Sequence, residues 1–340
     1  MDFKARFYLF TVGIAGLIAS AVYLPQLDLE KYLIPLLLLA AASFISEVYE
    51  LEILPRWGLS TAISLKLAAI YIGGAPLGVG VVLLSTLPAE ILLSWDRLKE
   101  GISSFLSRVI FNTGQLLLSV IASALVFQQF EGWFGESLPP YHSLQSYIPL
   151  ILAFFIYEAI NASLVSGIIS LVSSKKFTYI LRFSLKNLHL QFLTMGVLAI
   201  LMAILYATSP WNLVLAFVPL ALVHYSVRNY LRLRRDSHAA FKDITRLVAL
   251  RDIYTGSHSD DVETLAVALA EALKLPEDQI ETVRAGAAIH DLGKIGVPDA
   301  ILNKPGPLND EEWRIMKRHP IIGADVIKEL EIYRDVVPIV

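Results

Sequence analysis

The chain contains no cysteine. That excludes disulfides and any metal site built on thiolates, and leaves the redox compartment open. Charge is scarce too: only 17% of residues are Asp, Glu, Lys or Arg, against about a quarter in soluble domains. Neither sign dominates. A net charge of −3 removes the bulk electrostatic case for binding a nucleic-acid polymer. No cleavable signal peptide is evident, because the first apolar run is long and further runs follow it. The apolar segments hold no nucleotide, haem or quinone motif.

The shortage of charge is uneven. Residues 1–227 are almost continuous apolar segments, whereas 228–340 have an ordinary soluble composition. Two parts are expected, an integral membrane region and a globular one. About eight spans near the 20-residue bilayer requirement can be drawn, at 6–26, 31–47, 57–74, 77–95, 104–127, 147–173, 188–207 and 211–227. Only Gly73-Gly74-Ala75-Pro76 separates the third from the fourth, which predicts a tight helical hairpin or a re-entrant pair. Basic residues mark alternate loops: Lys4 and Arg6, then Arg97, Lys99 and Arg108, then Lys175, Lys176, Arg182 and Lys186, then Arg228, Arg232, Arg234 and Arg235. The loop at 48–56 is the one cytoplasmic loop that is not basic. By the positive-inside rule both termini face the cytoplasm, and an even span count agrees.

Several polar residues fall at membrane depth. Glu158 and Asn161 share one helix face, as do Asn112 and Gln115 in the preceding span. Lys66 and Glu90 fall in neighbouring spans at similar depth. Intramembrane ionisable groups are costly and point to a functional site. They also serve as helix-to-helix glue, and Lys66 is long enough to snorkel. Glu158, Asn161, Asn112 and Gln115 are the candidate sensory site.

Residues 228–249 lack Gly and Pro and place Phe241, Ile244, Leu247 and Val248 at helical spacing, so a connector helix is expected to leave the last span. It either links the two parts or pairs with a second copy. From 250 onward the pattern is of consecutive helices with no strand. Residues 262–273 have an apolar 3.6 period, and Pro276 opens a helix over 280–292 ending at Gly293. Asn309 caps another helix, with Glu312 in the capping-box position.

That last part carries the chemistry. His290 and Asp291 are adjacent, so as helical neighbours they point about 100° apart. Both can still reach one dinuclear centre, with Asp291 bridging the ions and His290 on one of them. His258 lies at an earlier helix start and His319 on a later helix. Such a site activates a bridging water and clamps a phosphoryl group, and Lys294 can steady a phosphate as a point charge.

Residues 250–325 closely resemble the HD-GYP family, a branch of the HD-domain metal-dependent phosphohydrolases. The resemblance rests on Arg251-Asp252-Ile253-Tyr254-Thr255-Gly256-Ser257-His258-Ser259, on His290-Asp291-Leu292-Gly293-Lys294 and its continuation to Gly306, on Glu312-Trp313, and on Met316-Lys317-Arg318-His319-Pro320. It implies an all-helical fold that hydrolyses the cyclic dinucleotide c-di-GMP at iron or manganese. His258, His290, Asp291 and His319 match family metal ligands, and Lys294 matches the lysine on the substrate phosphate. Tyr254 stands where some members add a Glu ligand, which implies two divalent ions rather than three. The family's His-His-Glu run, Gly-Tyr-Pro loop and distal Asp do not occur before Val340. An incomplete and inactive domain is therefore expected.

The expectation is an all-α chain: a polytopic membrane domain (1–227), a connector (228–249) and the N-terminal part of an HD-GYP domain (250–340). It would sit in a bacterial cytoplasmic membrane as a sensor-controlled phosphodiesterase, homodimeric through its connector. The alternatives are an HD hydrolase of another nucleotide phosphoester and a non-catalytic receptor with an HD-type interaction module.

Overall fold

A computed structural model describes residues 3–49, 51–54, 57–59, 61–130, 147–173, 175–186, 192–251, 258–330 and 333–340. The fold is helical, with one two-stranded ribbon. In the apolar part, α1 runs Phe3–Tyr23 and α2 Leu29–Val48, the latter capped by Asp28 on the Lys31 amide. The ribbon pairs β1 (Leu51–Leu54) with β2 (Trp57–Leu59). Then come α3 (Ala62–Leu93), α4 (Ile102–Gln129), α5 (Ile148–Ser173), α6 (Phe177–Lys186), α7 (Val197–Thr208) and α8 (Leu213–Ala249). The described part of the soluble region holds α9 (His258–Ala272), α10 (Glu277–Ile289), a 3-10 turn (Leu292–Gly296), α11 (Asp299–Leu302), α12 (Asp310–Met316) and α13 (His319–Ile327). Residues 1–52 and 58–225 make one compact unit, and 53–57 with 226–340 make the other.

Among the described residues, six helices are long and apolar enough to cross a membrane. On α1, Phe7, Ile14, Ile18 and Val22 are exposed while Leu9 and Val12 are buried, as expected of a lipid-facing helix with one packed side. That packed side closes on α4 through glycine: a Cβ at Gly16 would fall 2.1 Å from the Gly114 carbonyl oxygen.

The span count differs from expectation in two places. The expected third span starts too early, since 57–59 is strand and the helix begins at Ala62. It is also joined to the fourth as α3, which is broken at Gly73 and Gly74. Gly74 has φ 65° and ψ −155°, a conformation that side chains strongly disfavour. The chain reverses there. Along a straight helix Lys66 and Thr86 would lie about 30 Å apart, yet both donate to Oε1 of Glu47, Thr86 at 2.8 Å. A Cβ on Gly78 would likewise sit 3.3 Å from Ile70 Cγ1. The chain thus reverses at Gly73-Gly74-Ala75-Pro76, as both expected alternatives, a tight helical hairpin and a re-entrant pair, require. The first arm, residues 62–72, is buried throughout and is about 16 Å long, short of a full crossing. The seventh expected span is the short apolar stretch Thr194–Thr208, and its first residues, 188–191, lie outside the described residues.

In the second unit α10 stops at Ile289, three residues before the expected end, and the chain tightens into the 3-10 turn. The capping box of α12 forms as expected. Asn309 Oδ1 accepts from the Glu312 amide at 2.9 Å, and Glu312 Oε2 accepts from the Asn309 amide at 2.8 Å. Beneath these elements Ile289, Leu292, Ile327, Tyr333 and Val336 form one core, flanked by Phe241 of α8.

Candidate active site

Ending α10 early has a chemical consequence. His290 follows the helix with φ −55° and ψ −30°, and Asp291 sits at φ −92° and ψ 2°. A helical continuation would hold the two side chains about 100° apart. Instead His290 Nε2 lies 3.5 Å from Asp291 Oδ2. From the first residue of α13, His319 Nε2 lies 3.7 Å from Asp291 Oδ1. Each imidazole therefore addresses its own carboxylate oxygen.

The far nitrogens fix the tautomers. His290 Nδ1 is 2.8 Å from the Ala287 carbonyl oxygen, and His319 Nδ1 is 2.9 Å from that of Met316. Both Nδ1 atoms donate to those carbonyls, and both Nε2 atoms face Asp291, the arrangement that metal-binding histidines use. Asp291 is only 5% exposed. Lys294 donates to its Oδ2 at 2.9 Å and is itself buried.

Glycine makes this convergence possible. A Cβ on Gly293 would fall 1.8 Å from the His319 carbonyl oxygen and 2.5 Å from the Gly323 amide nitrogen. The 3-10 turn and α13 touch backbone to backbone, and that contact brings His319 to Asp291. Gly293 was expected to close a helix; its role is this close approach instead. Its partner Gly323 gave no sign in the sequence, because a lone glycine in a helix does not reveal what it faces.

Donor chemistry fits a divalent ion: two imidazole nitrogens and a buried carboxylate suit borderline first-row metals. Among the described residues no three His, Asp or Glu side chains close a metal site by themselves. Further donors are needed. His258 is the first residue of α9, as expected, but its side chain lies outside the described residues, as does Tyr254. Elsewhere in this region Arg251 Nη2 pairs with Asp299 at 2.5 Å, and Lys304 pairs with Glu312 at 2.5 Å. Neither pairing was anticipated.

The candidate membrane residues separate. Glu158 and Gln115 are buried, and Oε1 of each has no hydrogen-bond partner. Asn161 is half-buried. Asn112 is also half-buried and bonds to Glu90, which Arg108 holds at 3.3 Å. Lys66 does not meet Glu90; its partner is Glu47 of α2. Glu47 gave no signal beyond being an acid at the end of an apolar run.

Residues 255–340 match the HD domain family. Similar proteins include the cyclic di-GMP phosphodiesterase response regulator RpfG of Xanthomonas campestris, 37% identical over 25% of this chain and 22% of that protein. Cyclic di-GMP phosphodiesterase PA4108 of Pseudomonas aeruginosa is 45% identical over 22% of this chain and 18% of its own length. A 3'3'-cGAMP-specific phosphodiesterase 2 of Vibrio cholerae is 33% identical over 28% of this chain and 18% of its own. The chain thus spans about a fifth of the length of the curated relatives it matches. No solved structure matches it.

Proposed function

We propose that the chain belongs to a membrane-bound, metal-dependent phosphodiesterase of the HD-GYP kind. In this reading it hydrolyses c-di-GMP under control of its membrane region. The carrying observation is Asp291, buried between two imidazole Nε2 atoms with an ammonium on the same carboxylate. The resemblance of residues 250–325 and the names of the relatives supply the substrate class.

His258, His290, Asp291 and His319 would hold two ions, iron or manganese. Bound there, such ions would supply an activated water and stabilise charge on the phosphoryl oxygens. Asp291, with one oxygen facing each imidazole, would be a ligand shared between them. The Ala287 and Met316 carbonyls hold both rings with Nε2 aimed at Asp291. Lys294 holds positive charge where a non-bridging phosphate oxygen would lie.

Around this core we read a sensory membrane domain in the bacterial cytoplasmic membrane, with both termini cytoplasmic. Its site includes Glu158 and Gln115, whose buried oxygens lack partners, together with Asn112 and Asn161. Tyr230, Leu233, Ile244 and Leu247 of α8 are exposed at heptad spacing, which supports a parallel homodimer through the connector.

The test is turnover of c-di-GMP by Mn²⁺-loaded protein in lipid. Asp291→Ala should lower it by at least about 100-fold, since both ions lose their shared ligand. Chelation should abolish the activity, and Mn²⁺ should restore it. Wild-type turnover in Asp291→Ala rejects the metal-hydrolase reading. Because some relatives are named for 3'3'-cGAMP, the same assay with that dinucleotide decides the substrate: hydrolysis of it alone replaces c-di-GMP.

A further inference from the structure

Tyr333 is 0% exposed and lies far from the candidate ligands in sequence. Its ring meets two residues of α8 edge-on, His238 at 4.8 Å between centroids and Phe241 at 5.2 Å. Its hydroxyl donates to the Ser237 carbonyl, one residue before His238, at 3.4 Å. Burial pushes that hydroxyl up to about 12, against the pull of Arg234, so it stays a donor through the whole neutral range. On its other side Tyr333 shares a core with Ile289 and Leu292.

Those two residues bracket His290 and Asp291. The ligand pair therefore projects from a short turn whose two flanks are set in the cluster that Tyr333 completes. Close-packed cores do not deform continuously; they shift between discrete packings. A turn or slide of α8 about its axis must carry Tyr333 with it or open a void beside Ile289 and Leu292. The helix that meets Tyr333 is continuous from Leu213, within the last apolar stretch, to Ala249.

We infer that Tyr333 is a positioning residue through which α8 sets the orientation of His290 and Asp291. The inference rests on reading that pair as metal ligands.

The experiment uses the whole protein in lipid nanodiscs with two readouts. One is Mn²⁺ affinity by titration of free Mn²⁺. The other is amide hydrogen exchange without metal. Tyr333→Leu should weaken Mn²⁺ binding about tenfold through misplaced ligands. It should speed exchange at Ile289–Lys294 while the α9–α10 core around Val267, Ala270 and Ile280 exchanges as in wild type. Tyr333→Phe keeps the ring contacts and should bind Mn²⁺ within about twofold of wild type. Phe241→Leu should act in the same direction as Tyr333→Leu, and the double variant should be clearly less than additive, as residues in one contact chain behave. If Tyr333→Leu is not recovered folded, Phe241→Leu carries the same two readouts.

Unchanged Mn²⁺ affinity in Tyr333→Leu, with Asp291→Asn strongly weakened, overturns the inference and leaves the metal site standing. Exchange raised evenly over residues 258–340 also overturns it, since that marks a merely structural tyrosine. Unchanged affinity in both variants overturns the metal-site reading and the inference with it.

Discussion

The two units treat buried polar groups differently. In the HD domain the buried charged residues Asp291 and Lys294 are bonded to each other. In the apolar unit, among the described residues, Glu47 Oε2, Ser85 Oγ, Thr113 Oγ1, Gln115 Oε1, the Tyr157 hydroxyl and Glu158 Oε1 are buried without hydrogen-bond partners. Hydrocarbon is where such atoms cost most. A fold that only needed to insert would replace them with apolar side chains. Among the described residues, the buried charges of one unit are paired, whereas the other leaves buried acceptors open.

The sharpest way to break this comparison is to disturb the satisfied unit. Gly293→Ala forces a methyl onto the His319 carbonyl, where a Cβ has only 1.8 Å. Overpacking of this kind costs about 1–3 kcal/mol. The larger effect should be on Mn²⁺ affinity, about 10- to 100-fold weaker as His319 moves off Asp291. Wild-type Mn²⁺ affinity in this variant would show that the backbone contact does not place the ligand.

The apolar unit is disturbed through the Lys66–Glu47 ion pair, whose lysine is buried and whose glutamate is half-buried. Lys66 is 2% exposed and bonds Glu47, which also takes the Thr86 hydroxyl, so this carboxylate ties both arms of the hairpin to α2. Lys66→Met strands a buried charge and should destabilise by about 3–5 kcal/mol, whereas Glu47→Gln with Lys66→Met should recover most of the loss. Thermal unfolding in detergent measures both. Equal losses in the single and double variants would mean that the pair is not the tie.

Glu158→Gln sharpens the contrast further. If the open carboxylate is part of a sensory site, the variant should insert and fold like wild type but alter control of phosphodiesterase turnover in lipid. If it is helix glue, the thermal midpoint should fall with control intact. No change in either assay would remove Glu158 from both roles.

What was legible in the sequence follows from where each signal resides. Local signals were readable: the Gly73-Gly74-Ala75-Pro76 break, the Asn309 capping box, and His258 at a helix start are each encoded within a few residues. The HD motif was readable as a pattern of donors. Tertiary choices were not. Helical spacing continued α10 to Leu292, but backbone contact between the 3-10 turn and α13 ends it at Ile289. Lys66 was set beside Glu90 by depth, while the reversal at Gly74 hands it to Glu47 and leaves Glu90 to Arg108. Depth along a span does not encode which helix lies alongside.

The smallest effect tests whether satisfied polar groups in the HD unit matter even at its surface. The Glu312 carboxyl is held below its ordinary value, first by the hydrogen bond from Lys304 and then by the Asn309 amide. A carboxylate with a depressed folded value contributes stability above its unfolded value, near 4.5, and loses it as pH falls through the folded one. The α12 amides should therefore exchange faster as the solution is acidified below pH 4.5, and Glu312→Gln should flatten that dependence. Glu312 is half-buried at the start of α12, so the change should be confined to α12, without global unfolding. Asn309→Ala removes the other half of the box and should cost about 1 kcal/mol at any pH. An acid response of α12 that persists unchanged in Glu312→Gln would assign it to another group and limit the satisfied network to the buried centre around Asp291.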